Sequence, residues 1–104
     1  MKIAVSSLNG QTVTAHPGKT NRFLMFEITD QSPPRQMAAL TLPREMILNC
    51  AYPDADHPLY SVDVVIAASA KAGLAQRLSQ HGVRLVTTCE RSPERAVEVF
   101  LSKN

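Results

Sequence analysis

The stretch "VDVVIAASAKAGLAQRLSQHGVRLVTT", residues 62–88, decides how this chain folds. It opens with Val62 to Ser69, an apolar run rich in valine and alanine, the composition of a strand covered on both faces. The period then changes. From Ala70 to Gly82, Leu74 and Leu78 fall on one helical face, and Gly82 supplies the stop. Val83 to Thr88 returns to a β pattern. Strand, helix and strand in this order form a βαβ unit, whose two strands run parallel and are joined by a right-handed crossover.

Working outward, Lys2–Ser7 reads as a buried strand and Arg22–Thr29 as a second one. Asp30–Arg35 reads as a turn, because Pro33 and Pro34 cannot donate to a ladder. Gln36–Leu42 pairs back as a third strand, and Pro43 opens a short helix over Arg44–Cys50. Ala51–Ser61 is irregular. Ser92 is placed to cap the last helix, Ser92–Lys103, with Pro93 at its first position. The expectation is one α/β domain over residues 1–104. Its mixed sheet is covered by helices, Arg22–Thr29 runs antiparallel to its neighbours, and the Val62 strand lies inside.

Composition narrows the function. A chain of 104 residues builds one core, and with 5% aromatic residues and no Trp that core is aliphatic. Net charge is +2, from 11 basic and 9 acidic residues, too mild for a phosphate-tracking surface, so no nucleic acid is expected as partner. No apolar run approaches the ~20 residues of a membrane span, and the N-terminus lacks the apolar core of a secretory signal. Cys50 and Cys89 form no CxxC pair and fit free thiols of a cytoplasmic protein. No GxSxG, Walker, HExxH or GxGxxG motif is present. The strands contribute only Glu27 and Asp63 as carboxylates, so two-metal hydrolysis has no acidic cluster and the protein is expected not to be an enzyme.

The polar stretch "SSLNGQTVTAHPGKTNRF", residues 6–23, then acquires a place. If the strands near residues 2, 62 and 83 are parallel, their carboxyl ends share one end of the sheet. That end collects Ser6-Ser7, Ser69-Ala70-Lys71 and Thr87-Thr88-Cys89, and the loop carrying His16, Lys19 and Arg22 returns there. Ligand crevices of open α/β sheets lie beyond the carboxyl ends of the strands, and the helix after Ser69 starts there. An imidazole, cations, hydroxyls and a helix N-terminus suit an anionic ligand. Cys50, His57 and His81 fall at the opposite end, where three scattered residues give a Cys/His metal site only weak support.

The segments "MKIAVSS", "TVTAHPGKTNRFLMFEI" and "HPLYSVDVVIAASAKAGLAQRLSQHGVRLVTT" together resemble the nitrogenase iron–molybdenum cofactor biosynthesis family, the NifX- and NafY-type proteins and the domain appended to NifB. The resemblance covers most of the chain. It implies a three-layer ribonuclease H-like fold with a mixed five-stranded sheet and helices on both faces. It also implies binding, transfer or storage of an iron–molybdenum or iron–sulfur cofactor precursor. Family members carry a His-aromatic-Gly motif in the first loop. Here it reads His16-Pro17-Gly18, matching at the histidine and glycine and departing at the proline.

The carry-over makes His16 the candidate metal ligand, with Gly18 beside it. Lys19, Arg22 and Lys71 would pair with an anionic cluster, near Ser69. Each residue also has a plainer reading: a solvent-exposed loop histidine, solvated surface cations, strand-end hydroxyls. Cys89 is either a thiolate partner for the metal or a small buried hydrophobe at a strand end. One histidine and one thiol cannot complete a cluster's coordination, so a cluster would arrive preassembled and leave again. The partners implied are the precursor itself and cofactor-assembly proteins or apo-nitrogenase. The other reading is an interaction module in cluster assembly that binds no metal itself.

Overall fold

The computed structural model describes residues 1–30, 32–49 and 56–102. In chain order the strands are β1 (Lys2–Ser6), β2 (Arg22–Thr29), β3 (Ser32–Thr41), β4 (Val64–Ala67) and β5 (Arg84–Thr87), with helices α1 (Ala72–Ser79) and α2 (Pro93–Ser102). They form one five-stranded sheet in the order β3-β2-β1-β4-β5. β1 pairs antiparallel with β2 and parallel with β4, and β4 pairs parallel with β5. β2 alone runs against the rest and β4 is interior, as the βαβ reading requires.

Alternation along the strands sorts the core into two layers. Ile3, Val5, Leu24, Phe26, Val64 and Ile66 face α2, which buries Ala96, Val97 and Phe100 against them. Ala4, Phe23 and Val65 face the other way and pack with Leu42, Leu48, Leu59 and α1's Leu78. One helix therefore covers each face. α1 ends where Gly82 takes φ 77°, a left-handed turn that returns the Val83 amide to the Leu78 carbonyl at 2.9 Å. Ser92 caps α2: its Oγ accepts from the Arg95 amide at 3.3 Å and its carbonyl from the Ala96 amide at 2.9 Å.

Two expectations change. Pro33 and Pro34 lie within β3, not in a turn before it. β3 is an edge strand bonded only to β2, so its outer side has no ladder for proline to break, and register shifts along the β2–β3 pair absorb the rest. The helix expected after Pro43 is a single 3-10 turn, Arg44–Met46, after which Ile47 leaves with ψ 134° and buried Leu48 joins the core. Cys50 and residues 51–55 lie outside the described residues. Among the described residues no helix is long and apolar enough to cross a membrane.

Candidate functional site

The polar loop is bound to the sheet along much of its length. Ser6 Oγ donates to the Thr14 carbonyl at 2.7 Å and Ser7 Oγ to the Thr12 carbonyl at 2.6 Å, both side chains being buried. The Thr14 amide bonds the Ser6 carbonyl at 2.9 Å, the Ala68 amide the Thr14 carbonyl at 3.0 Å, and the His16 amide the Ser69 carbonyl at 3.1 Å. Val13 donates to the Arg91 carbonyl at 2.8 Å. The segment thus runs across the carboxyl ends of β1 and β4 as a fixed strap. The two serine hydroxyls are consumed in holding it and do not serve an anion.

His16 ends the strap in a left-handed conformation, φ 54° and ψ 63°. Its carbonyl accepts from the Lys19 amide at 2.9 Å and from Thr20 Oγ1 at 3.1 Å, closing the 3-10 turn Pro17–Lys19. Pro17 and Gly18 are buried beneath it. The imidazole itself is exposed and makes no hydrogen bond to a described residue. A non-glycine residue at positive φ is uncommon, histidine being among the types that tolerate it. The turn therefore aims a free ring outward at a backbone cost that the surrounding hydrogen bonds sustain.

Around that ring is a shallow notch of about 30 Å³ lined by His16, Gly18, Lys19, Asn49, Lys71 and Leu74. It has room for about one water-sized group, so anything larger sits over it. Lys71 occupies the N-cap position of α1 without a side-chain cap bond, which leaves the first amides of the helix without a side-chain acceptor. The notch accordingly offers one imidazole and two cations beside a helix start. Asn49 is the member that sequence reading missed. Its amide donates to the Gly18 carbonyl at 2.8 Å, and its side-chain amide lies so close to Gly18 that a Cβ there would collide with Asn49 Oδ1. A side chain at position 18 would therefore have to displace the exposed Asn49 side chain from this wall of the notch.

Four of the expected residues, His16, Gly18, Lys19 and Lys71, meet in the notch. Arg22 does not: it is half-buried with its guanidinium against the Gly10 turn. Ser69 is exposed and contributes its carbonyl to holding His16. Cys89 is exposed, not a buried hydrophobe, and lines a separate groove of about 390 Å³ with Val86, Thr87, Thr88 and Phe100 on the α2 face. His16 and Cys89 thus line different cavities. Among the described residues no group of three His, Cys, Asp or Glu side chains could hold a metal ion. At the opposite end of the sheet, His57 commits both ring nitrogens to the backbone, to Met46 and Leu59, and the His81 ring stacks on Tyr60 instead of capping its helix end.

No family model matches the chain, and no curated protein matches it. Solved structures share its fold, among them the three that follow. The crystal structure of PH0822 has a TM-score of 0.74 at 14% identity, covering 100% of this chain and 93% of its own. A protein provisionally described as a dinitrogenase, MJ0327 of Methanocaldococcus jannaschii, has a TM-score of 0.66 at 12% identity, covering 99% of this chain and 89% of its own. The Thermotoga protein TM1290, provisionally described as a NifB protein of the DUF35 family, has a TM-score of 0.63 at 14% identity, covering 97% and 87%. The likeness is one of fold. Two of these three neighbours carry nitrogenase-related descriptions.

Proposed function

We propose that this protein is a non-catalytic carrier for an iron–molybdenum or iron–sulfur cofactor precursor, acting in the cytoplasm in nitrogenase-type cofactor biosynthesis. The observation that carries the reading is the exposed His16 imidazole, which makes no hydrogen bond to a described residue and is flanked by Lys19 and Lys71. The nitrogenase-related descriptions of MJ0327 and TM1290 support it, as does the family resemblance of the sequence, which extends to a ribonuclease H-like classification of the fold. An imidazole nitrogen is a ligand for iron, and ammonium groups pair with an anionic cluster. A notch this small holds one ligating group and not a cluster, so the cargo rests on the surface, keeps its other ligands and can be handed on to an assembly protein or apo-nitrogenase. Cys89, exposed on the other face, is the candidate for a second contact with such a partner or its cluster.

Anaerobic titration with isolated iron–molybdenum cofactor, followed by colour and metal analysis, tests this. A brown complex is the expected result. A protein that stays colourless would remove the carrier reading in favour of an interaction module that binds no metal. Capture is also expected to weaken with added salt, because exposed charges are screened over roughly 8–10 Å at ordinary ionic strength. Lys71→Gln should flatten that salt dependence. Arg22→Gln should leave it unchanged, since Arg22 lies against Gly10 and outside the notch. A salt response identical in wild type and Lys71→Gln would show that Lys71 does not steer the cargo.

A further inference from the structure

Asn49 forms one wall of the notch, and the segment leading to it from Arg44 is held through two of its carbonyls. His57 sits at the start of the 3-10 turn Pro58–Ser61 and is 6% exposed. Its Nδ1 accepts from the Leu59 amide at 3.0 Å and therefore carries no proton, which leaves Nε2 to donate to the Met46 carbonyl. Arg77, on α1, reaches the same segment: Nη1 donates to the Leu48 carbonyl at 2.6 Å while Nε donates to the Tyr60 hydroxyl at 2.9 Å. Tyr60 is in turn packed between His57, with ring centroids 5.4 Å apart, and His81, stacked at 3.7 Å. One residue beyond Leu48, Asn49 bonds Gly18.

We propose that His57 and Arg77 are positioning residues for the His16 notch, acting through the Met46 and Leu48 carbonyls on Asn49, and that adding a proton to His57 releases this wall. A proton on Nδ1 would end its acceptance from the Leu59 amide and place a cation beside the Arg77 guanidinium. Burial, the largest influence on His57, lowers its proton affinity; the bond to Met46 raises it, and Arg77 lowers it further. The groups facing His57 among the described residues are Arg77 from α1, Tyr60 from its own turn and, beyond Tyr60, His81. Asp56 beside it in the chain, and Arg44 and Glu45 on the segment it holds, are exposed. The functional meaning of the release rests on the notch being the cargo site, but the coupling itself needs no cargo to be seen.

The test is amide hydrogen exchange followed by NMR on the full chain without cofactor, from about pH 7.5 to about pH 4, a window carried well below the ordinary imidazole value because burial lowers that of His57. Corrected for intrinsic rates, protection of the Asn49 amide should fall by about threefold or more on acidification, as local opening does when its anchor is lost, while Val65 and Ile66 in the sheet hold theirs. His57→Asn keeps a side-chain acceptor for the Leu59 amide but cannot take up the proton. It should abolish the pH response. His81→Phe keeps the stack on Tyr60 and should preserve the response. Arg77→Met should lower Asn49 protection at both pH values, and Arg77→Lys should not restore it, because a single ammonium lacks the fork that meets Tyr60 and Leu48 together. Asn49 protection that is flat with pH in the wild type, or a response that survives His57→Asn, would overturn the proposal. Neither outcome depends on whether cofactor binds, so failure here is separable from failure of the carrier reading.

Discussion

His16→Asn is expected to lower affinity for the iron–molybdenum cofactor by about tenfold or more, since about 1.4 kcal/mol of lost ligation already accounts for that factor. Asn is the informative replacement because position 16 is left-handed, φ 54°, and asparagine adopts that conformation more readily than alanine. The backbone contacts that fix the turn, from the His16 amide to Ser69 and from Lys19 and Thr20 to its carbonyl, do not involve the imidazole. Stability should therefore stay within about 0.5 kcal/mol of wild type, as exposed substitutions usually do. His16→Ala would confuse the two effects, because alanine gives no local compensation for the left-handed backbone, whose cost is about 1–2 kcal/mol. Anaerobic titration of both proteins, with thermal melts of each, makes the measurement. Equal affinities would mean that the histidine is a bystander and that the strap serves another partner.

Leu78→Ala is expected to produce the largest loss of stability, about 2–5 kcal/mol, the usual range for removing a buried leucine and leaving a cavity. Leu78 is the only residue of α1 that is buried, and it is 0% exposed. Leu74 and Leu85 are partly buried around the same core, and Arg77 ties the helix to Leu48 and Tyr60 through polar bonds. Against a total of about 5–15 kcal/mol for a small domain, the change removes a large share of the stability. Urea denaturation followed by circular dichroism gives the value. The same variant should loosen the notch, because Lys71 and Leu74 reach it from the start of α1. A loss below about 1 kcal/mol would show that α1 repacks and is not held by this side chain.

The sequence by itself determined the frame. The apolar run Val62–Ser69, the switch to helical spacing through Leu74 and Leu78 and the stop at Gly82 implied a parallel βαβ unit, whose first strand is β4. The short turn expected after Arg22–Thr29 implied that this strand and the next run antiparallel, as they do. Those features are local: residue period reports which face a side chain takes, and chain direction reports at which end of the sheet a loop returns. Hence chain direction alone puts His16, Lys19 and Lys71 at one end of the sheet. Pro33 and Pro34 were misread because a proline's tolerance in a strand depends on whether that strand is at an edge, which is a property of the assembled sheet.

Only the tertiary structure decided how that end divides. Arg22 and Cys89 reach it along the chain, yet one lies against Gly10 and the other opens onto the α2 face, because the strap from Thr12 to His16 runs across the ends of β1 and β4. Asn49 enters the notch for a reason no spacing encodes. Burial of Leu48 in the α1-side core and the Arg77 bond to its carbonyl bring that segment beside Gly18, 31 positions earlier in the chain. Hydrophobic period carries the faces of a sheet. Contacts between loops come from the packing of everything beneath them, where a buried leucine and one guanidinium fix the position of an exposed amide.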